Sequence, residues 1–80
     1  MKARIHITLK AGVLDPQGKA IEGALKGLGF ADAADVRQGK VIELTVPESN
    51  EAAARAKIED MCKKLLANPV MENYSIDLSQ

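Results

Sequence analysis

The sequence predicts an α+β fold of the order βαββαβ, a ferredoxin-like sandwich in which a four-stranded antiparallel sheet carries two helices on one face. Three observations favour it. Polar and apolar residues alternate near both ends of the chain, as they do in strands. Two long stretches have the period of an amphipathic helix, and a segment with strand-like composition lies between them. No linker-like or low-complexity segment interrupts the 80 residues. The sequence therefore predicts a single domain, residues 1–80.

The first strand and first helix follow from local signals. Lys2 to Lys10 alternates strictly, as a half-buried strand does. Asp15 can cap the first turn of a helix, and Pro16 suits its first position because no N–H is needed there. Gly29 can take the left-handed conformation that ends a helix. We expect this helix to bury one apolar stripe, made of Ala20, Ile21, Ala24, Leu25 and Leu28.

The second half of the chain repeats the pattern. Asp35 to Gln38 and Lys40 to Val46 flank Gly39, which predicts a hairpin of strands two and three. Glu51 to Ala67 consists of strong helix formers and ends at Asn68 and Pro69. Glu72 to Leu78 alternates again and predicts the fourth strand. The expected buried stripe of the second helix is Ala54, Ile58, Met61, Cys62 and Leu65.

Composition and charge exclude several functions. With 11 basic and 11 acidic residues the formal net charge is zero, so nothing attracts nucleic acid or an anionic membrane over long range. The alternating N-terminus is neither a signal peptide nor a membrane span. Cys62 is the only cysteine, which excludes an intrachain disulfide and suits a reducing compartment. We therefore expect a soluble, complete, cytoplasmic chain with no nucleic-acid or membrane partner.

One face of the predicted sheet is left uncovered by the helices. It is polar and broad enough to meet a second sheet, and the pattern leaves two interpretations open, an interface or an ordinary solvated face. The residues expected on it are Arg4, His6, Thr8, Arg37, Val41, Glu43, Thr45, Ser75 and Asp77.

The titratable residues do not assemble into a catalytic or metal site by spacing. His6 is the only histidine, and no nucleophile or acid is marked as its partner, so we interpret it as a surface or interface residue. Cys62 falls on the apolar stripe, where a thiol packs in the core and its pKa rises. The glycines match neither GxGxxG after a strand nor GxxxxGK followed by Ser or Thr, which indicates turns and caps. We expect no catalytic, cofactor or metal residue on this chain.

Three segments resemble one family along nearly the whole chain. They read LKAGVLDPQGKAIEGAL, VRQGKVIEL and MCKKLLANPVMENYSI, and they are similar, in the same order, to the small PurS subunit of phosphoribosylformylglycinamidine synthase. None of these segments is a catalytic signature.

The resemblance implies a non-catalytic subunit that forms a homodimer or higher oligomer and bridges a large synthetase subunit and a glutaminase subunit. The complex would convert formylglycinamide ribonucleotide to the amidine with glutamine and ATP, and a contribution of this chain to ammonia transfer stays open. ATP and Mg²⁺ would be bound by the large partner, with no cofactor on this chain. The interface candidates are Arg4, His6, Asp15, Pro16, Gln17, Gly18, Arg37, Gly39, Lys40 and Glu43.

Two other functions compete with this interpretation. A free-standing ferredoxin-like module could sense an amino acid at a dimer interface. Against this alternative, the loop after the first strand is already expected to cap the first helix, through Leu14, Asp15 and Pro16. A small hydrolase of the acylphosphatase type would need a phosphate-cradling loop with an arginine at the helix start. The turn from Gly12 to Gly18 contains no arginine, so we rank this alternative last.

Overall fold

A three-stranded antiparallel sheet forms the body of the protein. The computed structural model describes residues 1–80. The sheet has the order β2-β1-β3, with β1 paired to both neighbours. In chain order the elements are β1 (Lys2–Leu9), α1 (Pro16–Gly27), β2 (Gly39–Thr45), α2 (Glu51–Met61), a π-helical segment (Cys62–Leu66) and β3 (Glu72–Ser79).

The alternation of β1 separates a core face from a polar face. Ala3, Ile5 and Ile7 are buried, whereas the residues between them are exposed. Because partners in an antiparallel pair lie on the same face, Ile5 brings Ile42 of β2 and Ile76 of β3 onto the core face. The predicted first, third and fourth strands of the sequence analysis are thus confirmed as β1, β2 and β3.

α2 covers the core face of the sheet. Asn50 caps it by accepting a hydrogen bond from the Ala53 N–H at 3.0 Å. Ala54, Ile58 and Cys62, spaced at four residues, are fully buried against the isoleucines of β1. On the outer face, Glu51 pairs with Arg55 at 3.6 Å, four residues further on. The apolar period therefore predicted the α-helical part of this helix, Glu51–Met61, correctly.

The predicted end of the second helix is wrong in one respect. Its last turn is a π-helix, in which the Ala67 N–H donates to the Cys62 carbonyl five residues earlier. The extra residue per turn rotates the register, so Leu66 packs against the core while Leu65 is 84% exposed. Leu65 therefore does not belong to the buried stripe, because a fixed period of 3.6 residues does not hold through this turn.

α1 begins and ends where the sequence indicates but does not lie on the sheet. The Gly18 N–H donates to the Asp15 side chain at the N-terminus, and Gly29 has a φ of 101° just beyond the C-terminus. The core contains residues of α2 and of the π-helical segment but none of α1. Residues 14–38, which we call the arm, instead consist of α1 and a return segment that runs back beside it to β2. The expectation that both helices cover one sheet face is therefore wrong.

The predicted strand from Asp35 to Gln38 is not formed. Asp35 has a φ of 55°, which is incompatible with an extended strand. The N–H groups of Val36 and Gln38 donate to side-chain carboxylates of the arm rather than to a neighbouring strand. Gly39 is the first residue of β2, opposite Thr8, and not the turn of a hairpin. The sheet consequently has three strands instead of four.

The arm makes the chain unusually extended. The Cα radius of gyration is 16.0 Å, compared with about 12 Å for a compact chain of this length. The accessible surface is 5532 Å², about 800 Å² more than the ~4,700 Å² typical of a monomer of this mass. Only 10 of the 80 residues are buried. The accessible surface of this chain is therefore larger than that of a typical folded monomer of the same mass.

Candidate functional site

The arm is joined to the sheet through the carboxylate of Asp15. One oxygen accepts the Gly18 N–H at 2.8 Å, and the other accepts the Gln38 N–H at 2.7 Å. Asp15 is 5% exposed and is the only buried charged residue. One side chain thus caps α1 and also holds the chain immediately before β2. We call this arrangement the Asp15 junction.

Two further contacts support the Asp15 junction. Glu22 accepts the Val36 N–H at 3.2 Å and lies 3.7 Å from Lys26. Arg37 donates to the Lys10 carbonyl at 3.2 Å, and its Nε lies 4.0 Å from Asp15. The Glu22 carboxylate therefore holds the return segment against α1, and the Arg37 guanidinium ties it to the loop after β1.

The hydrogen bonds also set the ionisation of both carboxyl groups. The backbone N–H of Gln38, followed by that of Gly18, lowers the pKa of Asp15, and Arg37 adds to this while desolvation opposes it. The Val36 N–H lowers the pKa of Glu22 in the same way, with help from Lys19 and Lys26. Both groups are therefore anionic at neutral pH and act as hydrogen-bond acceptors.

Replacing Asp15 with asparagine is expected to destabilise the protein more at pH 7 than at pH 3. The amide oxygen can accept one N–H, but its NH₂ group would face the other. Because the folded pKa of Asp15 lies below its ordinary value of 3.8, its stabilising effect is complete above that value and is lost as pH falls through the folded pKa. Thermal unfolding of both proteins at the two pH values measures this.

Asp32→Asn is the control for the asparagine substitution, because the Asp32 side chain is exposed and makes no ion pair. We expect its melting temperature to follow that of the wild type at both pH values. An equal loss for Asp15→Asn at pH 7 and pH 3 would contradict the role given to the carboxylate.

The interface candidates around the Asp15 junction divide into two groups. Asp15 and Gly18 are buried, so they serve the arm itself and are not available to a partner. Gly39 is constrained as well, because a Cβ there would lie 2.6 Å from the Ile7 carbonyl oxygen. The accessible members are Pro16, Gln17, Arg37 and Lys40.

The polar face of the sheet holds the remaining candidates. Arg4 lies 3.7 Å from Glu43 across β1 and β2, and His6 lies 3.3 Å from Asp77 on β3. All four side chains are 45% exposed or more. Arg37 does not lie on this face, because the strand that was to carry it does not exist. The face carries exposed charged side chains, and no element of this chain covers it.

Cys62 occupies the core rather than a reactive position. The side chain is fully buried among apolar residues. Burial raises the pKa of the Cys62 thiol, and the nearby Glu59 adds to the rise. The prediction that the Cys62 thiol is packed in the core is confirmed.

No group of three or more metal-ligating side chains is present, and no helix is long and apolar enough to cross a membrane.

The exposure of apolar residues on the arm was not predicted from the sequence. Leu28 is 74% exposed, although it was expected in the buried stripe, and Phe30 just beyond the helix is 56% exposed. Leu14 and Ile21 are exposed as well. The signal was present in the helical spacing, but spacing does not tell which surface covers an apolar stripe. We interpret these exposed apolar residues as a candidate interaction surface.

Comparison with known proteins gives consistent results. Residues 2–80 match the PurS family, described as phosphoribosylformylglycinamidine (FGAM) synthase. The PurS subunit of FGAM synthase from Synechocystis is 45% identical over 95% of this chain and 76% of its own length. That from Methanocaldococcus jannaschii is 43% identical over 99% of this chain and 95% of its own.

Solved structures agree with the sequence matches. Bacillus subtilis PurS superposes with a TM-score of 0.87 at 39% identity, covering 99% of this chain and 98% of that one. A chain of the PurLQS structure from Thermotoga maritima gives 0.86 at 33% identity, covering 95% and 93%. The match spans nearly all of both proteins in each case, so the chain belongs to the PurS family.

Proposed function

We propose that this chain is the small, non-catalytic subunit of the cytoplasmic phosphoribosylformylglycinamidine synthase complex of purine biosynthesis. The complex converts formylglycinamide ribonucleotide, glutamine and ATP to formylglycinamidine ribonucleotide, and this chain bridges its synthetase and glutaminase subunits. The proposal rests on the match to a chain of the PurLQS structure from Thermotoga maritima. This match covers 95% of this chain and 93% of that one.

The geometry supports an assembly role. A subunit that connects two partners needs several accessible surfaces, and this chain presents a polar sheet face, an exposed arm and the accessible residues at the arm's base. Binding free energy from such surfaces would hold two distant active sites in one productive arrangement. Arg4, His6 and Glu43 on the sheet face, together with Gln17, Arg37 and Lys40, are the residues that we assign to partner contacts.

Two further parts of the proposal concern cofactors and oligomeric state. ATP and Mg²⁺ are assigned to the large synthetase subunit. The chain itself is proposed to be a homodimer or higher oligomer, which is supported by its radius of gyration of 16.0 Å and by the excess of accessible surface over a compact monomer.

Reconstitution tests the assembly role. Synthetase, glutaminase and this chain are mixed with glutamine, ATP, Mg²⁺ and formylglycinamide ribonucleotide, and amidine formation is compared with and without this chain. We expect glutamine-dependent activity to fall to background on omission. Ammonia-dependent activity of the synthetase serves as the control that the large subunit is intact.

Two results would contradict the proposal. Full glutamine-dependent activity without this chain would remove the need for a bridge. Hydrolysis of glutamine or ATP by the isolated chain would show that it carries an active site. Titration calorimetry of the isolated chain with amino acids tests the sensor alternative. Asp15, the only carboxylate in the loop after β1, is already hydrogen-bonded to the Gly18 and Gln38 N–H groups.

A further inference from the structure

The outer edge of β2 carries backbone groups that no other part of the chain pairs. In an antiparallel strand the N–H and C=O of one residue point to the same side, and successive residues alternate between the two sides. The Val46 N–H donates to the Met1 carbonyl at 2.9 Å, so the backbone of Val46 points towards β1. The alternation then turns the backbone groups of Val41, Glu43 and Thr45 away from β1 and out of the sheet. We call these three residues the open edge.

The opposite edge of the sheet, along β3, is partly closed by the chain itself. Arg55 of α2 donates to the Ile76 carbonyl at 3.4 Å, and the Glu72 N–H donates to the Asn68 carbonyl at 2.7 Å. The open edge has no such contact with a side chain or a loop. β2 also lacks the proline or bulge that commonly protects an edge, since its register with β1 is continuous.

Apolar side chains lie beside the open edge on both faces of the sheet. On the core face, Ile42 and Leu44 are only half-buried, because α2 packs towards β3. On the polar face, Val41 is 52% exposed. Side chains of neighbouring strands pack beside one another at about 5 Å, so one further strand next to β2 would cover all three.

We propose that the open edge binds an extended segment of one of the larger subunits of the complex, which adds a fourth strand to the sheet beside β2. The inference rests on the proposed function and specifies how this chain contacts a partner. Main-chain N–H and C=O groups of the segment would pair with those of the open edge, as in other complexes formed by strand addition.

The side chains of β2 specify the chemistry of the incoming segment. On the core face the segment would carry apolar residues beside Ile42 and Leu44 and an acidic residue beside Lys40. On the polar face it would carry a β-branched residue beside Val41 and a basic residue beside Glu43. The segment is therefore an alternating strand with one apolar side.

A second copy of β2 fits this edge less well. In the antiparallel register that pairs all three residues of the open edge, Val41 lies opposite Thr45 and Glu43 lies opposite its own counterpart. Like charges directly opposite one another destabilise a strand pair. The next register places the Lys40 ammonium opposite Leu44, an apolar side chain that needs an apolar neighbour. A strand of different sequence avoids both conflicts.

Amide hydrogen exchange in the assembled complex tests the inference. In the isolated chain the N–H groups of the open edge should exchange freely, whereas those of Ile42 and Leu44 point to β1 and are protected. On addition of the synthetase and glutaminase subunits, we expect exchange along the open edge to slow at least about 10-fold. Exchange is quenched in the complex, and the labelled chain is then separated and analysed by NMR residue by residue.

Val41→Pro removes one N–H of the open edge. Proline is tolerated on an edge strand where its missing N–H would face solvent, so this variant should fold. Val41→Thr is the matched control, because threonine keeps both the branched shape and the N–H. We expect the dissociation constant for a mixture of the two larger subunits to rise at least about 10-fold in Val41→Pro and to change less than about 2-fold in Val41→Thr.

Fluorescence anisotropy of the labelled full chain measures these dissociation constants, and circular dichroism checks that each variant is folded. Thr45→Pro, with Thr45→Val as its control, repeats the comparison at a second residue of the open edge. This pair replaces the first if Val41→Pro does not fold.

The outcomes separate this inference from the proposal beneath it. Open-edge amides that exchange as fast in the complex as in the isolated chain would overturn strand addition, while the assembly role stands on the reconstitution result. Equal binding by a folded proline variant and its control would also overturn it. Amides that are already protected in the isolated chain at micromolar concentration would assign the edge to a second copy instead. A chain that forms no complex with the larger subunits would overturn the proposed function itself.

Discussion

Replacing Ile58 with alanine is expected to lower the free energy of unfolding by about 2–5 kcal/mol. Ile58 is fully buried in α2 and packs against the strand isoleucines in the single core cluster. The truncation removes apolar contacts and leaves a cavity that a sheet and a helix cannot fill by small movements. A domain of this length has a total stability of about 4–12 kcal/mol, so this one residue accounts for a large share of it.

Urea unfolding at one fixed protein concentration measures the effect of Ile58→Ala, because association would otherwise change the apparent stability. Val41→Ala is the control. Its side chain is 52% exposed on an edge strand, and we expect a loss below about 1 kcal/mol. Similar losses in the two variants would show that α2 does not form the core with the sheet.

Replacing Gly18 with alanine is expected to destabilise the protein by about 1–3 kcal/mol, although alanine is the better helix former. A Cβ at this position would lie 2.5 Å from the Val36 carbonyl oxygen and 2.8 Å from a carboxylate oxygen of Asp15. Neither atom can move without loosening the return segment or the cap of α1. Glycine is needed here for the close approach of the backbone and not for an unusual φ.

Gly23→Ala is the matched control, five residues further along the same helix. Nothing lies within 4 Å of a Cβ built there, so alanine should stabilise the protein by about 0.5–1 kcal/mol through helix propensity. Opposite signs at the two glycines are the expected result of thermal unfolding. Faster amide exchange of Gln38 in Gly18→Ala would locate the damage at the Asp15 junction. A stabilised Gly18→Ala would contradict the close approach of α1 and the return segment.

The Asp15 junction was predictable in part. The Asp-Pro pair correctly indicated a helix cap, because the Gly18 N–H that it satisfies lies three residues away. The second acceptor oxygen binds the Gln38 N–H, 23 residues away, and no local pattern marks that pairing. The same contact explains the wrong strand. A strand was predicted from Asp35 to Gln38, but the N–H groups of Val36 and Gln38 donate to carboxylates of the arm instead of to a neighbouring strand.

The family resemblance and most elements could be determined from the sequence alone. Period two in β1 and β3, the Asp15 cap and the apolar spacing in α2 are properties of neighbouring residues, so reading the chain locally is sufficient to find them. The buried state of Ile58 and Cys62 followed from the same spacing.

Only the tertiary structure decided what covers each apolar surface. The spacing of Ile21 and Leu28 shows that α1 has an apolar face, but not that this face lies outside the core and is exposed. The π-helical turn exposes Leu65 and packs Leu66 by adding one residue to a turn, which the apolar pattern alone does not indicate. The spacing of apolar residues shows which face of an element is apolar, whereas the environment of that face depends on residues that are distant in the chain.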